Sequence, residues 1–138
     1  KKITFYEKKR GFHLVTSELV AALPELALYQ AGILNLHLQH TSASLTLNEN
    51  ADPSVRRDME RIFLELVPDH GQKGVRYEHD DEGPDDMSAH IRTVLTNPDL
   101  TVPVSNGQCA LGIWQGIYLW EHRTQRHQRR IIVTVQGE

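Results

Sequence analysis

Between Gly32 and Leu47 the chain alternates twice with a period of two. Leu34, Leu36 and Leu38 take turns with Asn35, His37 and Gln39, and Ala43-Ser44-Leu45-Thr46-Leu47 repeats the pattern. Successive side chains of a strand point to opposite faces, so each run must turn its apolar residues to a core and its polar ones away. His40 continues the leucine face of the first run. An imidazole at the end of an inward-facing row is held more firmly than one on a loop, and it is partly desolvated. Strands are therefore the frame of this fold.

Helical periods interrupt that frame. Thr16 and Ser17 offer N-caps for a helix carrying Leu19, Val20, Leu23 and Leu26 in spite of Pro24. Asp52-Pro53 is a stronger start, since Asp caps free amides and Pro suits a first turn. Val55, Met59, Ile62, Phe63 and Leu66 then form one stripe that ends before Pro68. A further helix is predicted from about Asp85 to Leu95, with Met87, Ile91, Val94 and Leu95 as its buried stripe and His90 one position away. Ile3–Tyr6, Phe12–Val15, Leu100–Val104, Cys109–Trp120 and Ile131–Val135 read as strands, and Asn106-Gly107 marks a hairpin. The predicted class is α+β, one domain over residues 1–138, strand-rich, with a β-sandwich-like mixed sheet and two or three inserted helices.

Composition narrows the function. A chain of 138 residues suits one domain with a real core. The single cysteine, Cys109, excludes an internal disulfide framework and a Cys-rich zinc module. A net charge of −3 argues against a general nucleic-acid binder. No apolar run approaches the roughly 20 residues that span a bilayer, and no stretch has the pattern of a signal peptide. A cytoplasmic protein with no nucleic-acid or membrane partner is expected. Charge is uneven: Glu78, Asp80, Asp81, Glu82, Asp85 and Asp86 follow one another without a Lys or Arg, whereas Arg123, Arg126, Arg129 and Arg130 crowd near the end with His122 and His127. Both segments read as solvated loops or, for the basic one, as a place to hold phosphate.

The 8 histidines are the compositional outlier. His40, His79 and His90 sit among carboxylates and hydroxyls, and three neutral imidazoles around a divalent metal make a known catalytic pattern. Their spacing is not diagnostic, and the alternative is a core-edge histidine bonded to backbone. Thr41-Ser42-Ala43-Ser44 places small hydroxyls at a strand end, suited to phosphate oxygens or simply to a strand edge. Asp85-Asp86 opens a helix, where carboxylates suit the dipole, but two acids near His79 and His90 exceed what capping needs. In Gly112–Arg123, parity puts Trp114, Tyr118 and Trp120 on one face, and Glu121 with Arg123 on the other as a cross-strand pair or a site pair. No phosphate-binding glycine loop and no G-x-S-x-G elbow occurs.

These blocks together carry a resemblance. His40-Thr41-Ser42-Ala43-Ser44-Leu45, Asn48-Glu49-Asn50-Ala51-Asp52-Pro53, Asp85-Asp86-Met87-Ser88-Ala89-His90-Ile91, Gly112-Ile113-Trp114-Gln115-Gly116-Ile117-Tyr118 and Arg129-Arg130-Ile131-Ile132-Val133 resemble the YjbQ (UPF0047) family, in order and over nearly the whole chain. The resemblance implies a β-sandwich-like α+β subunit, a homotrimer, and a secondary thiamine-phosphate synthase activity. That reaction joins a pyrimidine pyrophosphate to thiazole phosphate and releases pyrophosphate. It implies a divalent metal, zinc by ligand softness or magnesium by the reaction type, held by His40, His79 and His90 with Asp86 beside them. Asp86, Glu121 and Arg123 become the catalytic candidates, and Thr41, Ser42, Ser44, Arg123 and Arg130 the phosphate-binding ones. Trp114 or Tyr118 would shelter a carbocation. Ser88 stands where the family often has Pro. The alternatives are a metal-dependent hydrolase or lyase on a small phosphorylated metabolite, and a non-catalytic protein that binds a phosphate ligand or metal.

Overall fold

The alternating runs resolve into two sheets that face each other across the core. The computed structural model describes residues 1–138. Strands β1 (Lys2–Thr4), β3 (Ala31–Leu38), β5 (Asp99–Ser105), β6 (Gln108–Cys109) and β8 (Arg130–Gly137) form one sheet in the order β1-β8-β3-β5-β6. Strands β2 (Gly11–Leu14), β4 (Ala43–Glu49) and β7 (Gln115–Glu121) form the other, in the order β2-β7-β4. Leu34, Leu36, Leu38, Val104, Ile131 and Val133 from the first sheet meet Ala43, Leu45, Ile117 and Leu119 from the second in one buried cluster. The strand-rich α+β sandwich thus agrees with the alternation, although every ladder is antiparallel rather than mixed.

Three α-helices complete the fold: α1 (Thr16–Ala21), α2 (Pro53–Leu66) and α3 (Asp86–Leu95). Pro24 breaks the first predicted helix, so α1 stops at Ala21 and a 3-10 turn covers Pro24–Leu28. Leu19, Leu23 and Leu26 nevertheless all reach the core. The start of α2 is as predicted, with the Asp52 side chain accepting from the Ser54 amide. It lies on the outer face of the small sheet, where Met59 and Phe63 cover Phe12, Tyr118 and Trp120. Ile62 and Leu66, predicted on the same stripe, stay exposed because only one edge of that stripe touches the sheet.

The long strand predicted from Cys109 to Trp120 is cut in two. β6 ends at Cys109 in one sheet, and β7 begins at Gln115 in the other. Trp114 falls in the crossing and is exposed, so it does not share the buried face of Tyr118 and Trp120. The first two strands do not pair with each other either: β1 joins β8 and β2 joins β7.

The helix nearest the site departs furthest from its periodicity. α3 buries Asp86, Ser88, Ala89 and Arg92, whereas Val94 and Leu95 are exposed and Met87 and Ile91 only half-buried. Its polar face turns inward because partners wait there. The Ser88 hydroxyl and the Arg92 guanidinium both donate to Asp69, which also takes two hydrogen bonds from Arg10.

The predicted hairpin is present: Asn106 (φ 50°) and Gly107 (φ 77°) join β5 to β6 in the left-handed geometry of a two-residue turn. A methyl at Gly107 would press on the Ala27 backbone besides straining that φ. Gly107→Ala is expected to lower stability by about 1–3 kcal/mol, read from urea denaturation, with no loss of strand signal in circular dichroism.

Candidate metal centre

Chain segment 39–42 leaves the large sheet at Leu38 and enters the small one at Ala43, so it forms a corner between the two. Loop 97–98 braces that corner, its carbonyls accepting from the Leu38 and Leu45 amides. α3 stands against it. The Nδ1 of His90 lies 2.9 Å from the Thr41 carbonyl. A carbonyl only accepts, so Nδ1 donates, and Nε2 is left to face another partner.

That nitrogen faces Asp86. His90 Nε2 is 3.4 Å and His79 Nε2 2.7 Å from the same oxygen, Asp86 Oδ2. One ligand atom from each of His79, Asp86 and His90 lies within 4.8 Å of the others. Two of the three also have an outer hydrogen-bond partner, Arg123 Nη1 on Asp86 Oδ1 at 2.8 Å and the Thr41 carbonyl on His90 Nδ1, whereas Asp81 lies 3.8 Å from His79 Nδ1, beyond hydrogen-bond distance. Metal-binding imidazoles and carboxylates are usually oriented in this way through their second atoms.

Burial works against the ionised form of Asp86, but the hydrogen bond from His79 and the nearby His90 and Arg123 outweigh it and hold the carboxyl below its ordinary range. The same hydrogen bond raises the His79 pKa. Asp85 occupies the N-cap position of α3 without capping it. Its carboxylate instead accepts from Arg123 Nε at 3.0 Å and the Thr124 amide at 2.8 Å. Burial raises its pKa, but those two donors prevail and hold the group at about 2.

The structure distributes the remaining candidates. His40 stands outside the trio: its Nε2 accepts from the Arg130 amide at 2.8 Å. Burial, then the charges of Arg129 and Arg130, lower its pKa to about 4, so it is a neutral ring. Glu121 is fully buried and forms a two-pronged ion pair with Arg129 at 2.6 and 2.7 Å, not with Arg123. Arg123 spends its guanidinium on Asp85, Asp86 and the Glu82 carbonyl. The Ser42 hydroxyl accepts from Arg129, and the Ser44 hydroxyl is bonded to Thr96 and to His122. Among the phosphate candidates, Thr41 and Arg130 are the exposed ones. Tyr118 is stacked on Phe12 in the interior, so neither it nor the distant, exposed Trp114 adjoins the trio.

Sequence reading missed the polar network beneath α3. Asp69, Arg10 and Arg92 come from three separate segments and carry no local pattern, so only an unusual inward polar face could have announced them. His122, grouped with the basic segment, is fully buried, and burial followed by the charges of Arg92 and Arg10 lowers its pKa to about 3.

The antiparallel two-sheet sandwich with its three helices defines a small α+β class that other chains share. The crystal structure of the conserved hypothetical protein TT1486 from Thermus thermophilus matches it with a TM-score of 0.82 and 29% identity, over 99% of each chain. A YjbQ/UPF0047-family protein from Clostridium acetobutylicum matches with the same TM-score of 0.82, 29% identity and 99% coverage of both chains. UPF0047 protein YjbQ of Escherichia coli O157:H7 is 54% identical over 138 residues, 100% of this chain and 97% of that protein. UPF0047 protein sll1880 of Synechocystis is 44% identical over 129 residues, 94% of this chain and 85% of its own. The family model described as UPF0047 protein YjbQ-like matches residues 1–138, and the chain belongs to that family.

The buried neutral His122 sets a pH dependence. Its folded pKa of about 3 lies below the ordinary 6.5, so between those values the unfolded chain binds a proton that the folded one refuses. Its contribution is intact above pH 6.5 and falls as the pH drops towards 3, by about 1.4 kcal/mol per pH unit. Urea midpoints are expected to fall from pH 7 to pH 5, and His122→Asn to flatten the slope. A midpoint that is level across this window in the unmodified protein would contradict the neutral buried state.

Proposed function

We propose that the chain is a metal-dependent enzyme acting on a small phosphorylated metabolite, with thiamine-phosphate synthase-like transfer as its specific reaction. The observation that carries this reading is the trio itself: two imidazole nitrogens and one carboxylate oxygen, with His90 and Asp86 each oriented by a second partner. Two nitrogens with one oxygen suit zinc or a neighbouring transition metal better than magnesium. His79, Asp86 and His90 would hold the ion, which supplies positive charge to a departing pyrophosphate.

In that reaction the bond from the pyrimidine carbon to the pyrophosphate oxygen breaks. Its electron pair leaves with pyrophosphate, and the thiazole nitrogen forms the new bond to carbon. This chain's residues then have distinct tasks. Thr41 and Arg130 are free to meet phosphate oxygens, whereas Arg123 positions Asp86 and neutralises Asp85. Glu121 with Arg129 braces the corner that carries Thr41, through the Ser42 carbonyl and hydroxyl. A homotrimer is part of the proposal, and the exposed Ile113 and Trp114 offer apolar surface for it. A purely binding role is favoured by one observation: Glu121 and Arg123 are already engaged within the chain, so neither is a free acid or base.

Untagged protein is expected to take up about one zinc per chain, and His79→Ala or His90→Ala to lose it. Arg123→Gln, which removes an outer partner, should weaken uptake about 10–100-fold. Metal analysis after dialysis checks both, and undiminished zinc in all three variants would remove the centre. With the metal loaded, thiamine phosphate should form from the two precursors and fail to form in Asp86→Asn. Metal binding without turnover in the unmodified protein would select the binding role, and sedimentation would report the oligomer.

A further inference from the structure

The two histidines of the trio open on different cavities. His79 lines one of about 680 Å³ whose other walls include Glu78, Asp80 and Asp81. His90 lines one of about 540 Å³ shared with His37, Gln39, His40, Thr41 and Thr93, and no carboxylate lines it. An anion entering the first meets three acids. The acids beside that lining are both engaged: Asp99 by His37 at 3.2 Å and by Asn35 at 2.8 Å, and Asp86 by Arg123 at 2.8 Å.

Hydrogen bonding also fixes what His40 presents to that second cavity. The Arg130 backbone N–H can only donate, so His40 Nε2 is an acceptor and the proton of the neutral ring sits on Nδ1. The ring therefore offers an N–H donor and no second lone pair. Thr41 adds a hydroxyl and a backbone N–H that donates to no carbonyl of the chain. Both residues belong to the corner between the sheets, whose geometry is held from below by Arg129 on Ser42. These are the conditions for an oxygen-binding site whose donors need no reorganisation.

We infer that the cavity on the His90 side is the anion subsite of the centre, in which His40 Nδ1–H and Thr41 donate to the oxygens of a phosphate or pyrophosphate group. His40 is thus a substrate-binding donor rather than a metal ligand, and the acidic cavity on the His79 side is closed to anions by its charge. The inference rests on the proposed metal centre, and it divides the three histidines between two tasks.

Pyrophosphate is the probe, titrated calorimetrically into untagged protein with and without zinc, alongside zinc content and melting temperature. His40→Gln keeps an acceptor for the Arg130 amide but removes the ring donor, and Thr41→Val removes the hydroxyl alone. Both are expected to retain zinc and melting temperature while weakening pyrophosphate about ten-fold or more. Asp80→Asn, on the opposite cavity, should leave pyrophosphate affinity within about two-fold. Unchanged affinity in both His40→Gln and Thr41→Val overturns the subsite, as does an unmodified protein with no affinity for pyrophosphate. Zinc lost from His40→Gln as from His90→Ala overturns the donor role, returning His40 to the metal. If the unmodified protein holds no zinc yet His40→Gln still weakens pyrophosphate, the metal centre fails and the subsite stands.

Discussion

Asp86 is 1% exposed, yet it is ionised, and that one buried charge organises everything near it. A carboxylate taken out of water must be given hydrogen bonds and opposite charge, or it would cost several kcal/mol. Here Arg123 takes one oxygen and His79 and His90 crowd the other. His90 stands one turn along the same helix and His79 in the acidic loop before it, so Arg123, just past β7, is the partner that the need to compensate one carboxylate draws from a distant segment. His90 then reaches the corner between the sheets through the Thr41 carbonyl, tying the centre to the sandwich itself.

The corner has its own buried anchor. Glu121 and Arg129 pair in two prongs where no water reaches, and Arg129 also holds the Ser42 carbonyl and hydroxyl. Removing either partner would leave an unpaired buried charge, the costly case for an ion pair. Glu121 and Ser42, candidates for chemistry by sequence, are thus hydrogen-bonded to Arg129 within the chain, while Thr41 and Arg130 are exposed.

Legibility followed locality. The period-two runs, the Asp52-Pro53 start and the Asn106-Gly107 turn each depend on residues within a few positions, and each appears in the structure near its predicted place. The stripe of α3 failed because hydrophobic periodicity assumes that apolar side chains seek the core. Here Asp86, Ser88 and Arg92 have hydrogen-bond partners that outweigh that preference. Pairing Glu121 with Arg123 followed strand parity, but Arg123 lies beyond the end of β7, where parity no longer applies. His79 and His90 lie together at Asp86, whereas His40 lies apart from them with its Nε2 on the Arg130 amide.

By itself the sequence determined the family, the strand-rich α+β class and the residue types available for chemistry, since all of these rest on composition, period and motif order. Only the tertiary structure decided which histidines converge, which arginines are spent and which hydroxyls remain free. The reason is that a hydrogen bond or an ion pair is settled by distances of about 3 Å between segments far apart in the chain, as with His40 and Arg130, ninety residues apart. Nothing in the local order of residues encodes such distances.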